Sequence, residues 1–341
     1  MAVERLIPER DSAPPAGPAV LFTRLKVTSA DERVFLGKLA VLAVLTCAGA
    51  VLALQQNLWA AGAGIVLLAA MFTHAVELQH QCLHHSAFRR AFPHRLVGVP
   101  LGMPLLVVYS HYRVRHLQHH RFLGTPQDTE FFGFDTRGPL TFRALLRGLL
   151  DYPRLGTVAA EVVRAATGRW TYAFGHIAPA MRRRIVTEHV LLGGAVAGLA
   201  VLAALGHGEY VVRLWVLPLL LAIPLHFLVE LPEHLLCDTE TTDVLHNTRS
   251  IRGSWLSTWF TNGNNLHIEH HAAMMVPINR LGERHAETRS FAVHVERSYA
   301  DFYRVLWQAL RSGPTAPRAP HHATALPRGH DPAHRSRGAD L

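Results

Sequence analysis

Three short stretches of this 341-residue chain place histidines at spacings that could hold metal ions. HQCLHH puts His80 and His84 four apart with His85 adjacent, HLQHH gives His116, His119 and His120, and HIEHH gives His267, His270 and His271. On a helix, residues at i, i+3 and i+4 share one face, so each stretch can aim two or three imidazoles at one point. A single H-x-x-H-H is weak evidence, whereas two copies plus an H-x-x-x-H are strong. Packing about eight imidazoles together without partners would cost roughly 1 to 3 kcal/mol for each unsatisfied group, in sum comparable to the stability of a whole fold. Coordination of metal by neutral ring nitrogens removes that cost. Spacing alone indicates a multi-histidine site and leaves zinc, copper and iron open, because imidazole suits all three.

The elements that must bring these stretches together are apolar. The chain is 49% hydrophobic and 17% charged, and its 24 histidines nearly equal its 25 acidic residues. Leu39 to Ala75 contains no Asp, Glu, Lys or Arg, long enough for almost two crossings of a bilayer core of about 30 Å. The pattern predicts one helix over about 34 to 54 and another over about 58 to 79, with Gln55, Gln56 and Asn57 at the turn. A second hairpin is predicted with arms of about 187 to 205 and 210 to 229, joined by Gly206, His207, Gly208 and Glu209. Leu96 to Val108, at 13 residues, is too short for a firm span and reads as re-entrant, interfacial or core. The expected fold class is therefore all-α and integral to a membrane, with about four spans and a helical cap holding the metal site. An even number of crossings separates the three histidine stretches, so all can meet on one face.

Arginine placement predicts which face that is. Arg5, Arg10, Arg24, Lys26 and Arg33 precede the first span and Arg182 to Arg184 precede the third, so both termini and the histidines are expected on the cytoplasmic side of the cell membrane. The net charge of +9 then reflects topology and anionic lipid, not a nucleic-acid surface. Phe142, Leu145, Leu146, Leu149 and Leu150, interleaved with Arg143 and Arg147, suit either a helix lying in the membrane interface or one packed on its own domain; Trp170 and Tyr172 would suit the headgroup level. Residues 1–33 form a polar N-terminal segment without the features of a signal peptide, 34–312 the membrane domain, and 313–341 a Pro/His/Arg-rich tail expected to be disordered.

HQCLHH, SHYRVRHLQHHRF and NNLHIEHH, in that order and on those hairpins, resemble the integral-membrane fatty acid desaturases and their hydroxylase and ketolase relatives, over about residues 34 to 290. The resemblance implies a non-haem di-iron centre, dioxygen as co-substrate and an acyl or other lipophilic substrate. It implies His80, His84, His116, His119, His120, His267, His270 and His271 as ligands. It adds a further histidine upstream of the third box, best matched by His234 in ELPEHLLCD with His246 in VLHNTRS as the alternative. Glu230 stands where some members carry an Asn, and His85 stands where a small residue is common. His85, Glu77, Glu230, His246 and Asn265 are candidates for groups that orient the ligands, as are Glu269, Asp128, Glu130 and Asn264. For Glu77, a solvent-facing carboxylate at a helix end is an equal alternative. His176, His189, His207, His226, His285 and His294 read as ordinary hydrogen-bonded histidines.

Cys47, Cys82 and Cys237 cannot supply a four-Cys iron–sulfur cluster, so electrons are expected from a separate acidic ferredoxin-type or cytochrome donor with its reductase. The competing functions are a hydroxylase or ketolase of an isoprenoid-type metabolite and, outside this chemistry, a His-rich metal transporter. A transporter should carry ionisable groups along a path at mid-membrane, where His226 is the main candidate. A zinc hydrolase is disfavoured because there is no H-E-x-x-H.

Overall fold

The computed structural model describes residues 25–128 and 134–312. The tail beyond 312, most of the N-terminal segment and Glu130 lie outside the described residues. Helix α1 (Ser29–Ala53) opens with a capping box: the Thr28 hydroxyl accepts from the Asp31 N–H, and the Asp31 carboxylate accepts from the Thr28 N–H. That box starts the helix at Ser29, ahead of the apolar run that predicted a start near 34. Asn57 caps α2 (Leu58–Leu83) by accepting from the N–H groups of Trp59 and Ala60 at 2.9 and 3.1 Å. The two helices cross at Gly49 and Gly64, where a Cβ on Gly64 would lie 2.2 Å from the Ala53 nitrogen. Helix α2 runs past its expected end at 79, which keeps His80 on the helix and makes His84 its C-cap.

The stretch from Leu96 to Val108 is a bend. Helix α3 (Phe92–Gly102) passes through a 3-10 turn at Met103–Leu105 and a left-handed Leu106 into α4 (Tyr109–Phe122), and the two helices meet at 95°. Gln79 of α2 holds this bend by donating to the Gly98 and Val107 carbonyls at 2.8 and 3.3 Å. Tyr109 donates its hydroxyl to the Cys82 carbonyl at 2.9 Å, which sets α4 against the end of α2.

Helices α5 (Phe142–Leu149) and α6 (Pro153–Ala166) lead to α7 (Pro179–Leu202). Trp170 is fully buried with Ala165 and Ile185, so it is a core residue and not a headgroup-level anchor. Buried Glu188 on α7 accepts from the backbone N–H and hydroxyl of Ser110 and from Arg95, each at 2.7 Å. At the turn expected over 206 to 209, two helices meet across a kink at Gly206, where φ is +94°. The chain continues through α8 (Gly208–Val211) into α9 (Leu217–Glu230). Arg213 reaches the carbonyls of Ala53 and Gln55, which brings this crest against the turn between α1 and α2. Both turns thus lie at one end of the bundle, and the histidine stretches lie at the other.

Among the described residues, three helical stretches are long and apolar enough to cross a membrane, at 29–53, 58–83 and 179–233, or four if the bent α3–α4 pair forms one span. The last is the one broken at Gly206. After α9 come α10 (Val244–Asn247), strand β1 (Arg249–Ile251), α11 (Trp255–Phe260), α12 (His267–Ala272), α13 (His285–Thr288), β2 (His294–Glu296) and α14 (Tyr299–Arg311). The two strands pair in parallel with Arg249 opposite His294, a small departure from an all-α fold. They brace the third histidine stretch, since Ile251 and Asn265 exchange hydrogen bonds at 2.7 Å.

Candidate metal centre

Among the described residues, nine histidines from four segments converge as two groups. His80, His84, His116, His120 and His270 form one, and His119, His234, His267 and His271 form the other, with the ligand atoms of each group within 4.8 Å of one another. Neighbours in sequence separate: His119 and His120 point to different groups, as do His270 and His271. Successive helical side chains diverge by about 100°, so one H-x-x-H-H can serve two adjacent centres.

The ring nitrogens show why these groups fit metal. In the first group the His116 Nε2 lies 2.7 Å from His80 Nε2, 2.8 Å from His84 Nε2 and 3.0 Å from His120 Nε2. One such nitrogen carries a single proton or a single lone pair, so it cannot satisfy three like partners. In the second group His234 Nε2 is 3.2 Å from the Nε2 atoms of both His119 and His267, and His271 Nε2 is 3.1 Å from that of His267. A cation among the converging lone pairs satisfies all of them together. Burial, reinforced by the neighbouring rings, holds the pKa values of His267, His270 and His271 well below 6.5, so they are neutral and ready to coordinate.

The far sides of the rings divide the groups. In the second, His119 Nδ1 donates to Asp128 at 3.0 Å, His234 Nδ1 to the Asn247 carbonyl at 3.0 Å and His267 Nδ1 to Asn264 at 3.1 Å. Each bond fixes the tautomer that leaves Nε2 free to ligate. In the first, the Nδ1 atoms of His80, His84 and His270 are buried without partners, as is that of His271 in the second. The third stretch is seated by Asn262, whose side chain donates to the Glu77 carbonyl and to Gln81, both at 3.1 Å, and accepts from Lys38 at 2.6 Å.

The other candidates fall in different places. His85 is exposed, has φ of +55° and stacks on His94 outside both groups. His246 pairs with Asp243 at 3.0 Å, also outside them. Asn265 braces β1, and Glu269 binds Ser250 and His285, so both support backbone. Glu77 and Glu230 meet His226 in a third cluster, in which His226 Nε2 lies 3.2 Å from the Glu230 carboxylate. His189 bonds the Ile185 carbonyl as expected, whereas His176 and His207 are exposed. Sequence reasoning misses Glu233, which lies 3.2 Å from His267 Nε2 and accepts from Asn264 at 2.7 Å; its position next to His234 is the signal that could reveal it.

A cavity of about 70 Å³ opens beside this centre. His80, His116, His119, His234 and His267 reach it, Leu123, Phe134, Phe227 and Leu231 form apolar wall, and Glu230 and Glu233 add carboxylates. A bundle of apolar helices carrying multi-histidine groups at one end defines a membrane-type helical protein with a candidate metal site. The fatty acid desaturase family model matches residues 57–303, well over half of the chain, and the protein belongs to that membrane desaturase family. No curated protein matches it.

Proposed function

We propose that the protein is an oxygen-dependent membrane desaturase acting on a fatty acyl chain or similar lipophilic substrate, with two iron ions held by the nine histidines. The observation that carries this reading is the convergence of nine imidazoles beside an apolar-walled cavity at the end of an apolar bundle. The choice of iron rests on membership of the family. Iron bound there supplies, with dioxygen, the oxidising power to remove two hydrogens from adjacent saturated carbons. The balance is R–CH2–CH2–R′ plus O2, two electrons and two protons giving R–CH=CH–R′ and two waters. The chain's own residues orient the ligand rings through Asp128, Asn247 and Asn264, while Leu123, Phe134, Phe227 and Leu231 keep water from the reacting carbons.

The electrons come from a separate acidic ferredoxin or cytochrome with its reductase, because three cysteines cannot supply a four-Cys iron–sulfur cluster. The donor docks on the basic cytoplasmic face of a multi-pass protein in the cell membrane, where both termini and the metal centre lie. Phe142 and Leu146 of α5 are 66% and 42% exposed, which suits a helix lying on lipid at that face.

The test is mass spectrometry of lipids and small metabolites from cells with and without the gene, together with metal analysis of purified protein. Loss of two mass units and about two irons per chain are expected. A gain of sixteen mass units would replace desaturation by hydroxylation, and zinc without oxygen uptake would overturn the oxidase chemistry. Turnover of purified protein with NAD(P)H and no partner would overturn the separate donor.

A further inference from the structure

One buried polar cluster stands apart from the two histidine groups. Glu77 on α2 and His226 and Glu230 on α9 bring one ligand atom each within 4.8 Å of one another. His226 and Glu230 are one helical turn apart, with Nε2 3.2 Å from the Glu230 carboxylate. Glu77 and His226 are each 2% exposed. One oxygen of Glu77 accepts from Asn264, while its Oε2 is buried with no hydrogen-bond partner.

The unpartnered Glu77 oxygen is the feature of the cluster that calls for a ligand. Arg154 acts electrostatically on both Glu230 and His226, but a guanidinium nitrogen is committed to the Leu105 carbonyl at 2.9 Å. Glu77 and the mostly buried Glu230 thus lie around one imidazole, with Arg154 acting from nearby. A buried carboxylate is costly unless a cation or a proton offsets it. Two carboxylate oxygens and one imidazole nitrogen within 4.8 Å of one another make a compact O, O, N set, and Glu77 has a buried oxygen to spare for it. That set is harder than either all-imidazole group and suits first-row divalent ions.

We propose that Glu77, His226 and Glu230 form a third cation site, which takes a divalent transition ion such as Mn2+ or Zn2+ and is separate from the nine-histidine centre. Because its ligands come from α2 and α9, the ion pins the first hairpin to the second. Glu230 also borders the cavity, so the ion sits behind the wall the substrate meets.

The test loads the full-length protein, purified in detergent, with Mn2+ or with Zn2+ and measures bound metal per chain by mass spectrometry. Wild type is expected to carry about three ions, and Glu77→Gln and Glu230→Gln about two. His226→Asn serves as an independent variant if either fails to fold. Mn2+ affinity at the lost site should fall by about 10- to 100-fold or more. His120→Asn and His271→Asn should lose metal while keeping the ion that the Glu77 variant lacks. Equal metal content in wild type and all three cluster variants would overturn the site and leave the carboxylates sharing a proton. A wild type with a single ion, lost in Glu77→Gln and kept in His120→Asn, would uphold the site and overturn the histidine centre instead.

Discussion

His119 Nδ1 donates to the Asp128 carboxylate at 3.0 Å, with both side chains buried, while His120, its neighbour in sequence, points to the other metal group. The bond fixes the His119 tautomer and makes Nε2 the better ligand. Asp128→Asn keeps the shape but removes the charge. Metal affinity of the group containing His119 should fall by roughly 10- to 100-fold, with the group containing His116 unchanged. Titration against a competing chelator measures both affinities, and equal loss from the two groups would show that Asp128 acts on the fold instead.

Proton competition gives the centre a pH dependence of definite sign. Burial depresses the pKa values of His267, His270 and His271 below the 6.5 of an exposed imidazole. Below that value the unfolded chain binds protons that the folded chain does not, so stability falls as pH falls. Above it, these groups contribute no slope. Metal-free protein should therefore lose up to ~1.4 kcal/mol per pH unit for each such histidine below pH ~6.5. Thermal unfolding in detergent between pH 5 and 8 reads this directly, and a melting temperature that rises on acidification would contradict it.

The three boxes and His234 are visible in sequence because i, i+3, i+4 spacing is a local property of a helix. The division of nine histidines into two groups is not visible, since it depends on how α4 and α12 are rotated against α2. The extension of α2 to Leu83 also escapes an apolar-run argument, because Glu77, Gln79 and Gln81 are polar yet buried by α3, α4 and the turn at Asn262. His226 looks like a lone histidine in an apolar helix until α9 packs beside α2 and sets it near Glu77.

Asn262 carries much of the load of seating the third box. It has φ of +54° and its amide engages Lys38, the Glu77 carbonyl and Gln81. Asn262→Ala removes all three bonds and leaves a half-buried ammonium without that acceptor. A destabilisation of roughly 2 to 4 kcal/mol is expected, together with weaker metal binding by His267, His270 and His271. Asn262→Gly relaxes the backbone but loses the same bonds, so it should recover no more than about 1 kcal/mol. Thermal unfolding of the three proteins separates the two contributions, and full rescue by glycine would show that the backbone, not the amide, is what matters.

His85 tests where the first box ends. Although it follows His84 directly, the left-handed backbone at His85 turns its ring away from the metal group and onto His94, with ring centroids 4.6 Å apart. Asparagine tolerates this backbone well, so His85→Asn should fold normally and retain the full metal content. Alanine lacks that tolerance and should cost roughly 1 kcal/mol without changing the metal count. His84→Asn, by contrast, removes a ring whose Nε2 lies 2.8 Å from that of His116, and should lose metal from the first group. Metal analysis of these variants decides the matter, and loss of an ion in His85→Asn would add His85 to the ligand set.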